Sequence, residues 1–393
     1  MWGRPPYNWS MTFSIHKSIA LLLTVTSVLA ACGGSSSGGG DEPMPPPPAP
    51  TRSFYMGFTP WPYDATQAAV DDVNQRIQDN GDIVDHHIMV GVPWEEALQG
   101  LPYHPNVDAD LTARVQMVQP GKEVFLAIDS LSGVRDAMAA NWGENFNEPL
   151  PPPWDTRGFA DAEVATAYLN FSLDLIARFD PAYFNYATEI SELMLNDPAA
   201  FDDYVTFAET VYNGIKAQHP DLPVMVSIAF KSPGSAEMAA IAAGFERIRD
   251  YVDIVGVSTY PYVFFNHADK GNPDNLPSDW LDQVTTLAQG KPVAITETGW
   301  AAEDLVIPLF GVNVPGSEAF QQAYASRLLS EADALNAEFV IWWTVVDFDA
   351  LWNGVLLQDP VASIWRDIGL YDEGLRARPA LSEWQSWLAR SRD

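Results

Sequence analysis

The chain has 393 residues, 47% of them hydrophobic, and a formal net charge of −31 from 52 acidic and 21 basic side chains. A phosphate-binding surface needs clustered Lys and Arg, so these thinly scattered cations argue against nucleic acid as a partner, and the excess of acid reads as a solvated, dispersed surface. The length allows one large domain or two ordinary ones.

Lys17 precedes an apolar run from Ile19 to Leu29 that is shorter than the roughly 18 residues a spanning helix needs. Met11 would begin a more conventional export signal than Met1 does. The run closes on Leu29-Ala30-Ala31-Cys32-Gly33, which resembles the lipobox of bacterial lipoproteins. That resemblance implies that Cys32, the single cysteine, becomes the lipidated first residue of an exported, membrane-anchored chain. An ordinary secretory signal with an incidental Cys is the alternative. Gly33 stands where an Asp commonly signals inner-membrane retention, so the outer membrane is expected if the cell is Gram-negative. With Cys32 lipidated, no disulfide can form. Gly33 to Pro50 is a Gly/Ser piece followed by polyproline, a tether of about 25 Å if it behaves as a random coil. The expected organisation is a signal over 1–31, the lipidated Cys and linker over 32–52, and one domain over 53–393.

From Ser53 onward strand-like and helix-like stretches alternate. Eight strands are predicted, starting at Phe54, Ile83, Glu123, Tyr183, Val224, Val252, Val293 and Phe339. Helical patterns lie between them, as from Ala162, Asp203 and Glu318. Strands with few charges, separated by helices, predict a parallel sheet covered on both faces, and eight such units fit a (β/α)8 barrel. GFTPWPYD, after the first strand, is a poor phosphate cradle, which disfavours a doubly wound nucleotide-binding sheet. Long loops follow the second and third strands, Trp94 to Val115 and Ser130 to Thr156. The aromatics Trp61, Trp94, Trp142, Trp154, Tyr262, Trp300 and Trp352 fall in loops or just after strands. As a group they read as flat platforms for sugar rings, with burial in the core as the alternative for each.

The seventh predicted strand delivers an acid, Glu297, at its carboxyl end, where barrels place their chemistry. Cleaving a glycosidic bond with retention needs a second carboxyl nearby, one acting as nucleophile and the other as acid. YFNYATEISEL supplies it: if Asn185 and Ala187 face the barrel axis, so does Glu189, whereas Glu192 has the opposite parity or lies in the loop. His86 and His87 end the second strand and Asp129 the third, so they could bind sugar hydroxyls. Adjacent histidines point to opposite faces, so only one can reach a given ligand, and no third residue has metal-ligand spacing. Neither a metal nor a cofactor is expected. Asp347 and Asp349 either line the cleft or cap a turn.

ITETGW, around Glu297, resembles the seventh-strand nucleophile segment of clan A glycoside hydrolases, and its wording is nearest to family 17 endo-1,3-β-glucanases. DIVGVSTYPY is similar to the sixth-strand ending of family 17 and of family 53 β-1,4-galactanases. The resemblance implies a retaining glycosidase of a β-linked poly- or oligosaccharide. It makes Glu297 the nucleophile and Glu189 the acid/base, with Glu192 as the alternative acid. It also gives Tyr260 as a hydrogen-bond donor to the nucleophile and Trp343 as the floor under the attacked sugar. Thr188 departs from the pattern, because the clan carries there an Asn that grips the sugar 2-hydroxyl. A glycan-binding surface lipoprotein without catalysis is the rival reading that this departure keeps open. The matched acid pair argues against it.

Overall fold

The computed structural model describes residues 49–393, so Cys32, the signal and most of the tether lie outside the described residues. Eight strands form the barrel: β1 Tyr55–Phe58, β2 Ile83–Ile88, β3 Glu123–Ile128, β4 Tyr183–Asn185, β5 Val224–Ala229, β6 Ile254–Thr259, β7 Val293–Thr298 and β8 Phe339–Trp342. Each pairs in parallel with its neighbour in the chain, and β8 closes on β1 from Phe339↔Tyr55 to Trp342↔Phe58. This is the (β/α)8 barrel that the alternation predicts.

Side-chain alternation divides the core into two layers. Ile83, Phe125, Tyr183, Met225, Ile254, Phe339 and Ile341 fill the barrel interior. These inward residues cluster toward the strand starts. Further along, the inward positions turn polar, with Asp85, His87, Asp129, Asn185, Ser227 and Ser258 all buried. The apolar half plugs the foot of the barrel and the polar half opens on the cleft. The outer layer packs strands against helices. Helix Ala162–Phe179 buries Val164, Tyr168, Phe171, Leu175 and Phe179 at three- and four-residue spacing. Helix Pro198–Gln218 starts at Asp197, whose carboxylate accepts from the Ala199 and Ala200 amides. Among the described residues no helix is long and apolar enough to cross a membrane.

Two strands depart from strict alternation. β4 stops at Asn185, whose side-chain oxygen takes the Ala187 amide, so the strand does not carry Glu189 as its parity predicted. Glu189 instead has left-handed backbone, φ 55°, directly before helix Ile190–Asn196. In β7 the register slips by one residue: Ile295 lies opposite Val257, but Glu297, not Thr296, lies opposite Ser258. β8 sees the same slip, with Val340↔Ile295 followed by Trp342↔Thr298. The bulge turns Glu297 to the inward side beside Ser258. Gly256 makes room for it, because a Cβ there would lie 2.8 Å from the Thr296 methyl and 2.9 Å from the Val226 carbonyl oxygen.

At the foot, Thr51–Arg52 pairs in parallel with Ser391–Arg392, and Arg52 forms an ion pair with Asp82. After β7 an antiparallel ribbon, Leu305–Ile307 with Val312–Val314, rises from the opposite end.

Candidate active site

Glu297 is the centre of a connected set of polar groups at the carboxyl ends of the strands. The Tyr260 hydroxyl donates to its Oε2 at 3.2 Å, and His87 Nδ1 stands 3.8 Å from its Oε1. Tyr260 reaches this position because Ile254, Gly256 and Ser258 share its inward parity, and Pro261 then turns the chain into a short helix, Pro261–Phe264. His87 Nε2 bonds Asp129 Oδ1 at 3.0 Å and Thr188 Oγ1 at 3.2 Å. Asp129 Oδ2 accepts from Arg135 at 2.7 Å, and the Arg135 Nε lies 3.9 Å from Glu189 Oε2. A chain of alternating charge therefore runs from Glu189 through Arg135, Asp129 and His87 to Glu297. Arg135 has left-handed backbone, φ 58°, in the turn after β3.

The electrostatics follow from burial and from that chain. Only 12% of the Glu297 side chain and 24% of the Glu189 side chain remain open to solvent. Burial, and then the charge of Glu189, push Glu297 up to about 8, with His87 opposing. Burial also raises Glu189, against the pull of Arg135. The two carboxyls titrate together, and the pair holds a proton near neutrality. The expected division gave that proton to Glu189; here the upward push on Glu297 is as plain. Burial works against the His87 cation, yet Asp129 outweighs it and lifts the imidazole to about 9. Burial raises Asp85 to about 6 against His87 and a hydrogen bond from Thr59. Asp129 is held below the usual carboxylate range by Arg135 and His87, despite its burial.

Glu192 lies in the first turn of helix Ile190–Asn196 and is paired with Lys231 at 2.6 Å. Its charge acts on Glu189, whereas the acids that act on Glu297 are Glu189 and then Asp85. Thr188 does not face open cleft, because its hydroxyl is spent on His87.

Aromatic rings form the wall beyond Glu297. Trp343 and Trp61 lie 5.1 Å apart at 32°, and Trp365 bridges from Trp343 at 5.7 Å to Tyr260 at 5.8 Å. Trp342, its neighbour in β8, is core, and its Nε1 donates to the Ile368 carbonyl at 2.7 Å. Trp352 is half-buried and stacked by Arg366.

Three expectations are corrected. Trp300 is 0% exposed, stacks on Tyr324 at 4.6 Å and donates to the Gly271 carbonyl, so no sugar can lie on it. Trp94 is also fully enclosed, stacked on Trp154 at 5.5 Å with its Nε1 on the Ala139 carbonyl, and Trp142, Trp154 and Tyr262 are buried as well. His86 points outward onto Phe179, and burial together with Arg114 pushes it down to about 3. His87 is the member of the pair in the cleft. Counting from Ile83, the inward set is Asp85 and His87, and this polar alternation is the signal that identifies it. Arg135 lies in the turn after β3 and Trp365 in a four-residue helix, Ser363–Arg366, and no periodicity gives either placement. Asp347 is buried, accepting from the Gly369 amide at 2.7 Å and paired with Arg378 at 2.7 Å, while Asp349 begins helix Asp349–Gly354. Both Asp347 and Asp349 belong to an acid triad with Asp367 that is close enough to share an ion, but Arg366 and Arg378 already thread it.

No family model matches the sequence, and no curated protein sequence is similar to it. Solved structures are similar in fold. An exo-β-1,4-mannosidase from Opitutaceae bacterium strain TAV5 superposes with a TM-score of 0.62 at 12% identity, over 86% of this chain and 59% of that one. The GH53 catalytic domain of Ignisphaera aggregans matches at 0.52 and 15%, over 80% and 87%. An intracellular xylanase from Thermoanaerobacterium saccharolyticum matches at 0.53 and 12%, over 84% and 95%. The chain thus spans little more than half the length of the mannosidase. These structures are a mannosidase, a GH53 catalytic domain and a xylanase, and at these identities the likeness establishes the barrel fold.

Proposed function

We propose that the protein is a retaining glycoside hydrolase of a β-linked poly- or oligosaccharide. The observation that carries the reading is the convergence of two largely enclosed carboxyls, one on β7 and one in the turn after β4, each raised, with Tyr260 donating to Glu297. In this reading Glu297 Oε2, oriented by Tyr260, attacks the anomeric carbon as the bond to the leaving oxygen breaks, and Glu189 gives that oxygen its proton. Glu189 then takes a proton from water, which displaces Glu297 from the sugar. Arg135 facilitates this second role by stabilising the Glu189 carboxylate. The Trp61, Trp343 and Trp365 wall offers flat faces to the sugar rings, and cleavage within a chain is part of the proposal.

The test is release of reducing ends by the purified protein from β-glucans, galactans, mannans and xylans, with Glu297→Gln as control. Release by the parent alone supports the reading; equal release by the mutant refutes it. One observation favours a second reading, capture without cleavage: Thr188 is occupied by His87 rather than aimed at substrate. Equal binding of one glycan by parent and mutant, with no product, would establish it. Anchoring through Cys32 is part of the proposal and rests on the lipobox resemblance. It is tested by labelling cells with an alkyne fatty acid, which should mark the parent and not Cys32→Ala.

A further inference from the structure

The Thr188 departure raises the question of what grips the sugar hydroxyl next to the bond being broken. His87 Nε2 is bound from two sides by acceptors, Asp129 Oδ1 and Thr188 Oγ1. Those contacts fix the ring plane and leave Nδ1 as the free end. Among the described residues Nδ1 has no hydrogen-bond partner; it points at Glu297 Oε1 across 3.8 Å, beyond hydrogen-bond reach. The other Glu297 oxygen is taken by Tyr260. An oxygen about 2.8 Å from both Nδ1 and Oε1 would accept from the first and donate to the second, as a hydroxyl, or a water that a substrate hydroxyl displaces, can do.

We infer that His87 Nδ1, together with Glu297 Oε1, binds the 2-hydroxyl of the sugar under attack, and that Thr188 serves to brace the imidazole for that contact. The inference rests on the glycosidase reading above. Its geometry is set by chemistry: Glu297 Oε2 must approach the anomeric carbon, and the hydroxyl on the adjacent carbon then falls beside Oε1. Hydrogen bonds to that hydroxyl strengthen in the transition state, so the contact acts on turnover as well as on affinity. His87 is held as a cation by Asp129, Asp85 and Glu297 in spite of its burial, so Nδ1 keeps its proton and remains a donor at neutral pH. The pattern's Asn would reach the sugar from the acid-bearing strand. Here the grip comes from β2, with Thr188 one step behind it.

The experiment is a double comparison on the full chain. Hydrolysis of aryl β-glycosides of mono- and disaccharides identifies the accepted sugar, and kcat/KM is then measured for that glycoside and its 2-deoxy counterpart with parent, His87→Ala and Thr188→Val. The parent should lose about a hundredfold or more on the 2-deoxy substrate. In His87→Ala that ratio should fall severalfold or more, leaving the part that Glu297 Oε1 carries, and in Thr188→Val, which keeps the ring but not its brace, it should fall less. The same 2-deoxy discrimination in parent and both variants would overturn the inference while leaving the hydrolase standing. Absence of turnover by the parent on every glycoside and polysaccharide would overturn the glycosidase reading and this inference with it. Thr188→Val also guards against His87→Ala failing to fold, because unchanged discrimination in a folded Thr188→Val contradicts the bracing role.

Discussion

Glu297 is an uncomfortable residue in this structure: a largely enclosed carboxyl beside a second acid, relieved by Tyr260, the His87 cation and Arg135. Its pKa is raised above the unfolded value near 4.3, so the folded state binds the extra proton and stability falls as pH rises from about 4.3 toward about 8. Glu297→Gln should therefore lose turnover by about three orders of magnitude or more. It should also melt a few degrees above the parent near pH 8 and level with it near pH 4. Thermal scans across that range check this, and a mutant less stable at pH 8 would contradict the charge balance. His87 has the same sign for a different reason. Its pKa is raised above the unfolded value near 6.5, so its contribution is complete below about 6.5 and is lost as pH rises through about 9. Arg135 lowers the pKa of Glu189. Arg135→Gln should let Glu189 rise, moving the basic limb of the kcat/KM profile, where the acid must be protonated, to higher pH. A profile that stays in place or moves down would remove Arg135 from the proton balance. The same scale shows why single aromatics mislead: Trp300 and Trp343 both follow strands, yet one is locked under the Gly271 loop and the other lines the wall.

Among the elements, β7 decides the site, because its bulge lets Ala294 and Glu297, three apart, both face inward. Gly256→Ala presses on Thr296 and on the Val226 carbonyl. It should cost about 1–3 kcal/mol in urea unfolding and lower turnover by shifting Glu297. A fully active, equally stable variant would show that the bulge needs no such space. Asp197→Ala removes the acceptor for two amides at the start of helix Pro198–Gln218 and should cost about 1 kcal/mol with kcat unchanged, since the helix lies on the outer layer. The eight strands were legible because their apolar runs are short and bounded by helices of clear period. The bulge was not, since parity reasoning assumes a ladder without an extra residue. The early end of β4 was hidden for the same reason: Asn185 turns its side chain on the backbone, which no alternation announces. Trp94, Trp142 and Trp154 are enclosed because they join the main core against helix Ala162–Phe179, Trp94 itself starting a helix, so flanking Pro and Asp do not imply exposure.

The whole molecule carries a net charge of −31, and its acids far outnumber the cations that could pair with them. Self-repulsion should outweigh the surface ion pairs, so the melting temperature should rise with added salt, and a fall would show the pairs to be dominant. The scale of the whole also fixes a direction. The parallel pairing of Thr51–Arg52 with Ser391–Arg392, with Arg392 stacked 3.8 Å over Tyr55, lies at the foot of the barrel, and Glu297 lies at the other end. Both margins of the domain therefore emerge side by side on one pole. An affinity tag or fluorophore joined at either margin would sit away from Glu297, and a bead or film gripping the protein there would display every cleft outward. If Cys32 holds a membrane, the cell has the same advantage: the domain stands on its foot with its mouth toward the surroundings.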